Sequence, residues 1–176
     1  MTQILKTLKK LREAKFFFRC LCQKAGSLSL ENEEFDFYLS AFISASRSVT
    51  FVLQAEQNKL YDIWLPEWMS AQTTEDQELL DFMNAQRVKV IHESGAETKT
   101  ELEYVPVSKL NMGQRSHPVC GIHWSGPPGT PEPRLGTHIY FFERDGTKEK
   151  ATQTCSQYIQ LLERLVQDFS SRFFAR

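Results

Sequence analysis

The sequence predicts a mainly α fold, an up-and-down bundle of four or five helices carrying a small two-stranded β insertion. Three observations lead there. Long stretches place apolar residues at steps of three and four, which line one face of a helix. Glycine, proline and polar cap residues punctuate those stretches. One internal region switches to clustered β-branched and aromatic residues around a Gly/Pro-rich tract.

The first helix lies between Thr2 and Ala25, where Leu8, Leu11, Ala14, Phe18, Leu21 and Ala25 form one stripe and Gly26 supplies a stop. After the turn GSLSLENEE, with its Ser and Asn cap residues, Phe35, Leu39, Phe42, Ser46, Val49 and Leu53 draw a second, longer stripe. From Leu60 to Thr74 periodicity fades and Pro66 disfavours a continuous helix, so Tyr61, Trp64 and Trp68 read as an aromatic connector.

A third helix is expected to begin at Thr73 or Thr74, with Glu75, Asp76 and Glu78 suiting its positive end, and to finish before Gly95. Its buried stripe would be Leu80, Met83, Arg87 and Ile91, which puts a charge at a core position. Residues 98–150 form the insertion, with strands at 101–107 and 137–143 and a mobile loop at SGPPGTPEPRLG. The last helix carries Cys155, Ile159, Leu162, Val166, Phe169 and Phe173.

The chain's 176 residues, 41% hydrophobic and 24% charged, suffice for one sizeable core and one domain. A net charge of -1 excludes a protein that coats nucleic acid by overall charge, so any RNA contact needs a local patch. Lys6, Lys9, Lys10, Arg12, Lys15, Arg19 and Lys24, opposed only by Glu13, make one such patch or a solvated helix face. No apolar run approaches the ~20 residues of a membrane span, and MTQILKTLKK lacks a signal-peptide core, so a cytoplasmic location is expected. Cys20, Cys22, Cys120 and Cys155 have no disulfide-framework spacing and read as reduced thiols.

Arg87 needs an explanation, because a guanidinium in an apolar stripe is costly unless paired or facing a wet cleft. His92 follows five residues later, about 140° further round an ideal helix. Two accounts stand open. In one, Arg87 pairs with Asp36 or Asp81 and His92 meets the negative end of its helix dipole. In the other, the long Arg side chain and a fraying helix end bring both residues to one pocket.

The long helix FDFYLSAFISASRSVTFVLQ, the aromatic segment after it and a helix ending in RVKVIHESG together resemble the HEPN superfamily. The likeness covers roughly residues 1–95 and the last helix; read this way, residues 1–176 form a single HEPN-like domain. Many members are metal-independent ribonucleases marked by Arg, four to six residues, then His, a pattern matched by Arg87 and His92. The resemblance implies a homodimer, RNA as substrate, and room for a partner or antitoxin protein. It also implies roles: His92 takes the proton from a ribose 2′-hydroxyl, and Arg87 stabilises the charge gathering on the phosphoryl oxygens. Because two copies of the motif commonly meet across the family's dimer, the cleft would be composite. The residue after the arginine, frequently polar in active members, is Val88, and on it rests the alternative of a non-catalytic interaction or ligand-binding module.

Supporting residues are Arg47, beside the second stripe with Ser40 and Asp36 on its side, and Asp81 and Asn84, one and two turns before the motif. Arg47 either binds phosphate near Arg87 or pairs with a neighbouring carboxylate. A third reading makes Tyr61, Trp64 and Trp68 a pocket lid. His117, Cys120 and His123 in HPVCGIH are three ligand-type residues where a zinc site normally wants four, with His138 or Cys155 the nearest supplements, and read as an ordinary loop; Trp124, Tyr104 and Tyr140 either stack on bases or pack the insertion. GPPGTP lacks the GK[ST] ending of a phosphate loop, and no cofactor or metal is expected.

Overall fold

The structure, a computed structural model, describes residues 4–25, 33–93, 95–106, 130–144 and 146–174, with Val105 described by its backbone alone. These residues form α1 (Leu5–Lys24), α2 (Glu33–Ser70), α3 (Thr74–His92), β1 (Lys99–Pro106), β2 (Arg134–Arg144), β3 (Thr147–Lys150) and α4 (Ala151–Phe174). The chain is mainly helical, as its periodicity predicts. Among the described residues no helix is long and apolar enough to cross a membrane.

All six residues of the second stripe are buried, from Phe35 to Leu53. Against them α1 sets Leu11, Ala14 and Leu21, while Leu8 is 36% exposed and Thr7 takes the buried place in the first turn. Lys24 pairs with Glu34, and Lys6 and Thr7 bond Glu56, so α1 and α2 run antiparallel. Five of the six predicted α4 positions are buried, and Phe173 packs partly against the same core.

The aromatic connector expected from residue 60 to residue 74 is instead helical through Ser70, a correction with a clear physical cause. Tyr61, Trp64 and Trp68 stand at i, i+3 and i+7, on one helical face, and all three are buried. Trp64 meets Phe169 edge-on at 5.1 Å, and Trp68 donates Nε1–H to Asp168 Oδ2 at 2.9 Å. A proline within a helix costs about 3 kcal/mol. Burying a large apolar side chain stabilises by roughly 1.5–3 kcal/mol, so three together outweigh Pro66. The break in α2 falls earlier, at Gln57, whose φ of −136° and ψ of 33° are non-helical. These aromatics are core, which removes the lid reading for Trp64 and Trp68.

Thr73 caps α3 by accepting from the Asp76 N–H at 3.2 Å, and Glu75 and Asp76 occupy its first turn. The sheet has three strands in the order β1-β2-β3, all antiparallel, where two were expected. The strand passed over, Thr147–Lys150, is wholly polar and shows no alternation. Its signal is the dipeptide Asp-Gly at 145–146, a hairpin sequence in which Gly146 adopts φ 77°. Gly136 on β2 lets Leu102 of β1 approach closely, since a Cβ there would lie 3.1 Å from that side chain. The sheet packs on the helices through Tyr140, stacked on Phe35 at 3.5 Å, and Phe142, edge-on to Phe82 at 5.2 Å.

Candidate functional site

The buried stripe of α3 is Leu79, Met83 and Gln86, with Val90 partly buried; the expected stripe through Leu80, Arg87 and Ile91 is therefore corrected by about one residue, ~100° of rotation. Ile91 is 51% exposed. The polar residue at the core position is Gln86, whose Oε1 accepts the Glu97 N–H at 3.1 Å and so ties the segment after α3 back to the helix. A neutral amide with a backbone partner fits such a place more cheaply than a guanidinium.

Arg87 is consequently half-buried at the edge of α3, and its guanidinium carbon lies 5.4 Å from the Phe51 ring centroid on α2. Arg47, one turn before Phe51, lies over the same ring at 4.2 Å. The structure thus brings Arg87 and Arg47 together around one aromatic that is itself 44% exposed. Among the described residues neither arginine has a carboxylate within 4.0 Å, so pairing of Arg87 with Asp36 or Asp81 is not what is found. Arg47 Nη1 donates to Thr50 Oγ1 at 2.7 Å, and its Nε is buried without a hydrogen-bond partner. Each cation–π contact contributes about 0.5–1 kcal/mol at an exposed site. Two uncompensated guanidiniums around one ring repel each other, and a bound anion relieves that repulsion.

Beside Arg47, along α2 on either side of the Gln57 break, lies a groove of roughly 200 Å³ lined by Arg47, Phe51, Gln54, Tyr61, Asp62 and Pro66 among others. Gln54 Nε2 donates to Asp62 Oδ1 at 2.8 Å and fixes that carboxylate. Tyr61 is buried beneath; desolvation raises its pKa, against the opposing pull of Arg47 and of a bond with Thr50. Sequence reading found Arg47 and missed Phe51, Gln54 and Asp62. The i, i+4 spacing of Arg47 and Phe51 is the one local signal that pointed to them.

His92 is exposed in the last turn of α3 and has no hydrogen-bond partner among the described residues. The helix stays regular through it, with the Glu93 N–H bonding Lys89 O at 2.8 Å, so no fraying swings the imidazole towards Arg87. Within one chain the two motif residues face about 140° apart. Asp81 and Asn84 are exposed and bond neither of them. Asp36 is distant in role: its carboxyl pKa is raised by partial desolvation and by Glu33, against a bond from Thr98.

His117, Cys120, His123 and Trp124 lie outside the described residues, as do residues 125–129 of the predicted loop, whose last three residues, Arg134, Leu135 and Gly136, belong instead to β2. Among those described, no three ligand-type side chains group as a metal site. His138 is half-buried with Nδ1 unpartnered, and Cys155 is a buried free thiol whose pKa burial pushes well up. Tyr140 packs in the core, and Tyr104 is 59% exposed. The chain matches no family model, no curated protein and no solved structure.

Proposed function

We propose that this chain is a HEPN-like RNA-binding protein and metal-independent endoribonuclease that acts as a homodimer, its helices forming an up-and-down bundle. One observation carries the reading: Arg47 and Arg87 converge on exposed Phe51, and among the described residues no carboxylate lies within 4.0 Å of either. Paired cations beside an accessible aromatic suit a single strand, which offers a phosphate to each guanidinium and bases that stack. A planar guanidinium presents fixed donors to phosphoryl oxygens, so Arg87 is suited to the charge that develops during transesterification.

His92 supplies the base that removes the 2′-hydroxyl proton. Since it turns away from Arg87 in one chain, the pair acts across two copies, each contributing one residue to a shared cleft. The exposed apolar residues Phe37, Val88 and Ile91 on α2 and α3 support self-association. Cytoplasmic RNA fits the expected location.

The test is RNA cleavage by purified protein in the presence of chelator, set against His92→Ala and Arg87→Ala. Loss of cleavage in both variants is expected, and equal cleavage by wild type and His92→Ala sinks the nuclease. The second reading, a non-catalytic module that retains RNA or partner binding, is favoured by the unpartnered ring of His92 and by Val88, an apolar residue 46% exposed beside Arg87. It predicts RNA binding without turnover.

A further inference from the structure

We propose that the groove at the α2 break is a guanine subsite, taking one guanine base with its adjacent phosphate on the Arg47–Arg87 pair. The proposal rests on the reading of this face as an RNA surface and adds the base it selects. The observation behind it is a pair of opposite charges held apart: Arg47 and Asp62 both line one groove, yet form no ion pair. A ligand that spans them must offer an acceptor at one end and donors at the other.

The donor side is Arg47. Its Nη1 is engaged by Thr50 and its Nε is buried, so Nη2, which meets no acceptor among the described residues, is the donor left to a ligand. An arginine N–H readily serves guanine O6. The acceptor side is Asp62. Gln54 holds Oδ1 in place from one direction, leaving Oδ2 and a second lone pair of Oδ1 open.

Pro66, which has no N–H, borders the same wall and adds no backbone donor to it. This wall is therefore rich in acceptors and poor in donors. Guanine presents two adjacent donors, N1–H and the N2 amino group, which match a carboxylate edge. Adenine and cytosine each present a single amino donor, and uracil one ring N–H between two carbonyls that the carboxylate would repel.

Size and lining agree with a base. A groove of roughly 200 Å³ is below the range of drug-sized sites and suits one planar ring system. Tyr61, Leu65 and Pro66 give it apolar walls.

Direct binding of 5′-GMP, 5′-AMP, 5′-CMP and 5′-UMP, measured by calorimetry on the full chain, tests the proposal. GMP is expected to bind about tenfold tighter than the other three, in line with one well-made bidentate contact. Asp62→Asn is expected to remove most of that preference. Asp62 is exposed on α2, and circular dichroism of the variant checks that the fold is kept; Gln54→Ala, which frees the carboxylate without deleting it, should weaken the preference partially. A second arm compares an A-rich single-stranded oligonucleotide carrying one G with its all-A counterpart, and separates RNA from free nucleotide. A G-containing strand bound more tightly than GMP supports the strand as the source; a preference for GMP alone supports the free nucleotide.

Equal binding of all four nucleotides, an Asp62→Asn variant that keeps the preference, or tighter binding of a zwitterionic amino acid such as glutamate each overturns the subsite. Guanine preference without RNA cleavage removes the nuclease and leaves the subsite standing. Cleavage without base preference does the reverse.

Discussion

Glu56 on α2 accepts two hydrogen bonds from Thr7 on α1, from its backbone N–H at 2.9 Å and its hydroxyl at 2.7 Å, and a third from the Lys6 N–H at 3.0 Å. α1 has no acidic residue in its first turn and no capping side chain at Ile4. The cap for its orphan donors therefore comes from 49 residues away in sequence, and locks the start of α1 beside the Gln57 break.

Replacing Glu56 by Ala is expected to destabilise the fold by about 1–2 kcal/mol, at the upper part of the range for a lost helix cap. The cost is pH-dependent. Burial raises the Glu56 pKa, but the bonds from Thr7 and Lys6 outweigh it and leave the folded value below the usual 4.5. A lowered carboxyl pKa stabilises the fold above the unfolded pKa and is lost as pH falls through the folded value. Thermal melts of wild type and Glu56→Gln should differ at pH 7 and draw together as pH falls below 4.5 through the folded value. A constant gap down to pH 3 would show that the carboxylate is not the cap.

Tyr158 gives the opposite dependence. Burial pushes its phenol up to about 12, with Arg47 pulling down and Cys155 and Tyr61 adding to the rise. The fold thus prefers the neutral phenol, a stabilisation present in full below the ordinary value of about 10 and lost as pH climbs towards 12. Melting temperature should fall steeply above pH 10 in wild type and less steeply in Tyr158→Phe. Absorbance near 295 nm should show the Tyr158 share of ionisation only with unfolding.

Trp68 ties α2 to α4 through Asp168, and Phe is close enough in shape to isolate that bond. Trp68→Phe should cost about 1–3 kcal/mol, from the lost charge-assisted hydrogen bond and the smaller ring. Asp168→Asn in the Trp68→Phe background should add little, because the partner is already gone. Additive losses in that double-mutant cycle would refute the coupling.

What the sequence made legible follows from how strongly each element is patterned. In α2 and α4 apolar residues recur without a gap at steps of three and four, so the stripes from Phe35 to Leu53 and from Cys155 to Phe169 are found buried, although Phe37 and Phe51 fall outside the α2 stripe. In α3 apolar residues surround the helix, with Leu79, Leu80, Phe82, Met83, Val88, Val90 and Ile91 spread over several faces. Its phase is then settled by tertiary contacts, and Gln86 rather than Arg87 faces inward. The Glu56 cap and the Arg87–Phe51 contact join residues far apart in the chain, which periodicity does not register. The feature that drew attention to Arg87 was thus a misplaced core position, yet the residue stands in an unusual electrostatic setting for a different reason.

That setting has a measurable signature in salt. Each phosphate contact to a single strand releases a counterion, so log affinity falls with log salt by about 0.7 per contact. Arg87→Gln and Arg47→Gln should each lower that slope by about 0.7, and the double variant by about 1.4. Phe51→Leu should weaken binding by the loss of a stacking platform, about 1–3 kcal/mol, while leaving the slope unchanged. The measurement is fluorescence anisotropy of a labelled single-stranded RNA between 50 and 300 mM salt, roughly the range over which such slopes resolve. If the arginine variants keep the wild-type slope, the two guanidiniums do not meet phosphate, and the face they share with Phe51 is not where RNA binds.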